Sequence, residues 1–192
     1  MFEVEAKYAI SDLPAFRRQL QELGAEPVGA VEQHADTYFA HPCRDFVATK
    51  EALRVRRIDG RPLVTYKGPK LPGAIKARRE LEWDLSPGDN DGFRMIDLLT
   101  SLGFQQVAEV RKSRQNYRLT TPQGPLGLTV DEVESVGSYA EIEALSDDQK
   151  GVAEARERIE GIATRLRLQE LESRSYLALL LEQFSKESCE KH

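Results

Sequence analysis

Phe2-Glu3-Val4-Glu5-Ala6-Lys7-Tyr8 alternates apolar and charged residues without a break. Successive side chains of an extended chain point to opposite faces, so this stretch reads as a strand. Glu3, Glu5 and Lys7 share one face, and Phe2, Val4, Ala6 and Tyr8 share the other. The same period returns downstream, and strands are predicted at 33–40, 51–58, 62–68, 75–85, 104–119, 126–134 and 138–145. Asp59-Gly60 is a hairpin turn between 51–58 and 62–68, and Gly68-Pro69-Lys70-Leu71-Pro72-Gly73 is a loop. Helical periodicity occupies 12–23, 91–102, 147–165 and 173–184, with Ser11-Asp12 as a start signal and Gly24 and Gly103 as stops. The expectation is an α+β chain: a closed or nearly closed eight-stranded antiparallel barrel with helices outside. One domain is expected over 1–184, with a polar tail at 185–192.

The first strand's division of faces recurs on nearly every other strand. Arg54 and Arg56 share a face, as do Thr65 and Lys67, Lys112 and Arg114, Thr129 and Asp131, and Glu141 and Glu143. Lys76, Arg78, Glu80, Glu82 and Asp84 form one row. On a single half-buried strand such a row simply meets water. A closed sheet changes that reading, because one face must turn inward. The helices need an apolar surface to cover, which leaves the charged faces to line the lumen. Buried charges of both signs are costly unless they are paired or solvated. They could pair with one another, or the cations could hold a polyphosphate while the carboxylates hold a hard divalent ion.

The composition narrows the partners. The 192 residues carry 27 Lys and Arg against 32 Asp and Glu, a net charge of −5, with 40% hydrophobic and 31% charged residues. That balance argues against non-specific nucleic-acid binding, which requires a basic surface. The two cysteines, Cys43 and Cys189, form no disulfide framework. The N-terminus lacks the apolar core of a signal peptide, and the longest apolar run, Tyr176 to Leu181, is too short to span a bilayer. A cytoplasmic protein that binds no membrane is expected, as a monomer or a homodimer. His34 and Asp36 read as parts of an ordinary polar strand, His41-Pro42-Cys43 as a turn, and Leu177 to Leu181 as packing against the barrel.

As an ordered set, these residues resemble the CYTH superfamily of triphosphate-tunnel metalloenzymes. Glu3-Val4-Glu5-Ala6-Lys7 matches its ExExK signature. Leu53-Arg54-Val55-Arg56, Thr65-Tyr66-Lys67-Gly68, Arg79-Glu80-Leu81-Glu82, Lys112-Ser113-Arg114 and the acidic strands from Asp131 to Glu143 follow in order. The segment from Asp36-Thr37-Tyr38-Phe39 to Phe46 is similar to the class IV adenylyl cyclase branch. The resemblance implies Mg²⁺ or Mn²⁺ held by Glu3, Glu5, Glu141 and Glu143, with Glu80, Glu82 and Asp131 as further ligands. It implies phosphates held by Arg54, Arg56, Lys67, Lys112 and Arg114, with Lys76 and Arg78 beside them. Lys7, Glu5 and Asp131 are the expected catalytic residues. The implied reaction is conversion of ATP to cyclic AMP and pyrophosphate. The alternative is hydrolysis of thiamine triphosphate, inorganic tripolyphosphate or a nucleoside triphosphate, and a non-catalytic polyphosphate or nucleotide binder ranks third.

Overall fold

The computed structural model describes residues 2–72, 75–146, 148 and 150–189, with the side chains of Lys76 and of 187–189 left aside. Eight antiparallel strands close on themselves: β1 (Phe2–Ala9), β2 (Glu26–Ala40), β3 (Ala52–Ile58), β4 (Arg61–Lys67), β5 (Lys76–Asp84), β6 (Gln105–Thr121), β7 (Gly124–Val133) and β8 (Gly137–Ser146). Around the barrel they run β1-β5-β4-β3-β2-β6-β7-β8. Closure leaves no free edge and divides the surface into a lumen and an exterior. Among the described residues, five helices accompany the strands: α1 (Leu13–Leu23), α2 (Phe46–Thr49), α3 (Phe93–Ser101), α4 (Val152–Arg165) and α5 (Tyr176–Cys189).

The exterior is where the apolar strand faces are buried. Val4, Ala6 and Tyr8 of β1 and Ile142 and Ala144 of β8 pack with Phe16 and Leu20 of α1 and Ile159 and Ile162 of α4. The local signals for α1 act as their chemistry requires. Asp12 accepts from the Ala15 amide, and Gly24 at φ 83 ends the helix in a left-handed cap. At the β3–β4 hairpin Asp59 and Gly60 both take positive φ, 48 and 83, as a type I′ turn demands. The smaller clusters seat α5 through Leu179 and Leu180, and α3 through Leu99.

Several boundaries differ from the sequence reading. β2 begins at Glu26 rather than 33. Its first half is almost fully exposed and broken by a register shift between Val28 and Glu32, so it carries no alternation to detect. α2, four residues capped by the Asp45 carboxylate, is too short for a periodic signal. α4 starts at Val152 rather than 147, and α5 runs to Cys189, into the segment read as a tail. Among the described residues no helix is long and apolar enough to cross a membrane.

Candidate active site in the barrel interior

Antiparallel partners directly opposite one another project to the same side of the sheet. Register therefore decides which charges meet. Glu5 stands opposite Glu143, and Lys7 opposite Glu141. Asp36 faces Arg56 and Tyr38 faces Arg54; Lys67 faces Glu80, and Arg114 faces Asp131. The inward faces enclose a cavity of about 1340 Å³. Its lining includes Glu3, Glu5 and Lys7 of β1, Arg54 and Arg56 of β3, Lys67 of β4 and Arg78, Glu80 and Glu82 of β5. Lys112 and Arg114 of β6 and Glu141 and Glu143 of β8 line it too.

One wall is cationic, and a buried carboxylate stands behind each of its pairs. Asp36, 1% exposed, accepts from Arg56 Nε at 2.6 Å and Nη2 at 2.7 Å, and from Arg54 Nη1 at 3.2 Å. Asp131, fully buried, accepts from Lys112 Nζ at 2.8 Å, Arg114 Nε at 2.7 Å and the Tyr176 hydroxyl at 2.9 Å. Burial alone would raise both carboxyls, but the adjacent cations outweigh it and hold them well below the usual range. Burial, reinforced by Arg114, lowers the Lys112 amine to about 8. The Arg54 Nε is buried with no hydrogen-bond partner, while the residue itself lines the cavity.

The other wall is acidic and incompletely neutralised. Lys67 Nζ lies 2.9 Å from Glu3, 2.7 Å from Glu80 and 4.0 Å from Glu5. Arg114 pairs with Glu141 and lies 3.9 Å from Glu143. Burial, together with Glu141, Glu3 and Glu5, raises the Glu143 carboxyl to about 7 despite Arg114. Glu3 is likewise raised, by burial first and by Glu5. Among the described residues no three His, Cys, Asp or Glu side chains are already gathered in metal-binding geometry, because Lys67 and Arg114 stand among the acids. The fit to a divalent cation rests on donor chemistry and on this unrelieved charge. Glu3, Glu5, Glu80, Glu141 and Glu143 offer hard oxygens; the carboxyls of Glu3 and Glu143 are raised, whereas Arg114 holds that of Glu141 below its ordinary value against burial.

The sequence-predicted residues thus converge, with qualifications. Asp131 lies behind the cationic wall with both oxygens engaged, not on the cavity surface. Glu82 is exposed at the margin, accepting from Thr65 Oγ1 at 3.1 Å. The Lys76 side chain falls outside the described residues. Lys7 Nζ donates to the Arg174 carbonyl at 2.6 Å and sits 4.0 Å from the Tyr176 ring centroid, which places it at the junction with α5. The sequence reading missed Asp36 and Tyr176. His34, with Asp36, is in the barrel interior rather than on an ordinary polar strand, at 4% exposure. Its Nε2 lies 2.8 Å from Glu32. The alternation His34, Asp36, Tyr38 could have placed Asp36 on the lumen face; Tyr176 gave no comparable signal.

The cavity of the closed barrel thus gathers cationic and acidic side chains on one lining. The chain belongs to the CYTH domain family, whose pattern matches residues 1–176. It is 32% identical to adenylate cyclase CyaB of Aeromonas hydrophila over 182 residues, 93% of this chain and 88% of that protein. It is 36% identical to the candidate adenylate cyclase MJ0240 of Methanocaldococcus jannaschii over 148 residues, 77% of this chain and 79% of that one. Among solved structures, the PH1819 protein of Pyrococcus horikoshii OT3 superposes with a TM-score of 0.82 at 38% identity, covering 94% of this chain and 99% of that chain.

Proposed function

We propose that this protein is a divalent-metal-dependent adenylyl cyclase, converting ATP to cyclic AMP and pyrophosphate inside the barrel. The carrying observation is that Arg54, Arg56, Lys112 and Arg114 line one cavity together with Glu3, Glu5, Glu80, Glu141 and Glu143. Similarity to a protein named adenylate cyclase over 93% of the chain supports this reaction over hydrolysis. The two buttressing carboxylates fix their cations before substrate arrives, so little reorganisation is needed when charge builds on the phosphates. The ribose O3′ attacks the α-phosphorus, the bond to the bridging β-oxygen breaks, and pyrophosphate leaves. The hydroxyl proton passes to a carboxylate of the acidic wall.

In this reading Glu3, Glu5, Glu80, Glu141 and Glu143 hold Mg²⁺ or Mn²⁺, which supplies charge neutralisation on the phosphate oxygens. Arg54, Arg56, Lys67, Lys112 and Arg114 bind the triphosphate, with Arg78 beside them, and Lys7 orients it from the α5 end. Asp131, its oxygens already engaged, is a positioning residue for Lys112 and Arg114. The test is product analysis after incubation with ATP, thiamine triphosphate and tripolyphosphate, each with Mg²⁺ or Mn²⁺. Cyclic AMP with pyrophosphate is the expected outcome. Orthophosphate from any of the three would replace the cyclase with a triphosphatase, and binding without turnover would leave a sensor.

A further inference from the structure

Around the barrel every strand runs antiparallel to its neighbours. The connections that follow β1, β2, β4 and β7 therefore gather at one end, and those that follow β3, β5, β6 and β8 at the other. The first end carries α2, which follows β2. The start of α5 is tied to the same end by the bond from Lys7 Nζ to the Arg174 carbonyl and by the bridge of Tyr8 to Leu171. The cavity reaches solvent at both ends. Val47 of α2 lines it at 88% exposure. Leu145, close to the last residue of β8 and on the face of Glu141 and Glu143, lines it at 67%. Exposed Gly127, opposite Glu143, adds no side chain to this second opening.

The two openings differ in what they offer an anion. At the α2–α5 end Arg44, Lys50, Lys70 and Arg174 line the cavity, with Asp45 and Glu51 among them. Arg44 is paired with Glu51, and Arg174 with Glu172 and Glu182, yet both guanidinium side chains stay about half exposed, so they are placed without being covered. At the far end the lining is Glu3, Glu82, Glu143 and Leu145, with Arg78 opposite Glu3. Its outermost members, a carboxylate and an apolar side chain, give an anion nothing to bind. Openings lined by one sign of charge draw in the other and repel their own.

We infer that the barrel passes anions through its α2–α5 end alone, so that pyrophosphate leaves after cyclic AMP and by the same opening. The inference rests on the function proposed above. A triphosphate drawn in phosphates first keeps its nucleoside nearest that end. Cyclisation then leaves cyclic AMP between pyrophosphate and the way out. A cation seated on Glu3 or Glu143 would hold pyrophosphate in place, so metal occupancy does not open the far end.

Product inhibition of the cyclase reaction at fixed free Mg²⁺ tests the order. Pyrophosphate, last to leave, is expected to compete with ATP. At a concentration equal to its inhibition constant it should raise the apparent KM about twofold and leave kcat unchanged. Cyclic AMP, first to leave, should lower kcat as well. The double variant Glu82→Lys/Leu145→Lys, at two exposed positions, lines the far opening with cations. There cyclic AMP should compete with ATP too, since pyrophosphate gains a second way out. Competition by cyclic AMP in the wild type, or a fall in kcat with pyrophosphate, overturns the order. A variant that keeps the wild-type pattern overturns the charge of the far end as its cause. A wild type that forms no cyclic AMP from ATP overturns the proposed function, and this inference with it.

Discussion

Glu143→Gln should make the protein more stable and inactive at once. The Glu143 carboxyl moves from an ordinary 4.5 to about 7 because burial and the charges of Glu141, Glu3 and Glu5 disfavour its ionised form. At about 1.4 kcal/mol per tenfold change, ionising it at pH 8 costs the fold at most about 3 kcal/mol. The side chain retains 31% exposure, so cavity water screens part of this, and about 1–2 kcal/mol is the realistic expectation. The folded-state value lies above the unfolded one. The wild type therefore keeps full stability below about pH 4.5 and loses this contribution as pH rises through 7. Glutamine has nothing to ionise. The two proteins should melt together near pH 5 and diverge toward pH 8, where the variant should melt about 2–8 °C higher, given about 2–4 °C per kcal/mol for a chain of this length. Melting curves between pH 5 and 8.5 in EDTA, paired with a cyclase assay, read both effects. Parallel melting at every pH, or a variant less stable at pH 8, would refute the view of the acidic wall as short of positive charge. Full activity in the variant would remove Glu143 from the site.

Asp131→Asn should cost about 3–5 kcal/mol, because it leaves Lys112 and Arg114 buried without their shared counter-charge; a loss under about 1 kcal/mol in denaturant unfolding would contradict the buttress. Arg56→Ala should weaken tripolyphosphate binding or kcat/KM by tenfold or more, and unchanged kinetics would remove it from the clamp. Lys67 and Arg114 cannot pair fully with the carboxylates and with phosphate at once. Tripolyphosphate should therefore free acids for metal, and Mn²⁺ and tripolyphosphate should each tighten the other's binding. Independent titrations would count against that exchange.

The barrel and its charged rows were legible because alternation is a local property. The run from Phe2 to Tyr8 shows both faces of a strand, and a repeat of that pattern around a closed sheet leaves one lumen to share. What pairs with what was not legible, since register is set by distant segments. Asp36 gains its role by standing opposite Arg56, 20 residues later in the chain. Tyr176 reaches Asp131 across 45 residues, from a helix whose apolar pattern speaks of packing. Asp131 looked like any carboxylate of the acidic set until its position behind Lys112 and Arg114 showed that its oxygens were already engaged. The same limit applies to α2. Nothing in Phe46-Val47-Ala48-Thr49 marks it as the mouth of a cavity built by strands on either side.

The most direct test is a crystal structure of the protein with Mn²⁺ and a non-reactive ATP analogue. The account requires phosphates within hydrogen-bonding distance of Arg54, Arg56 and Arg114, and anomalous manganese density against Glu3, Glu5, Glu141 or Glu143. Phosphates bound on the outside of the barrel, with these side chains still paired to one another, would contradict it.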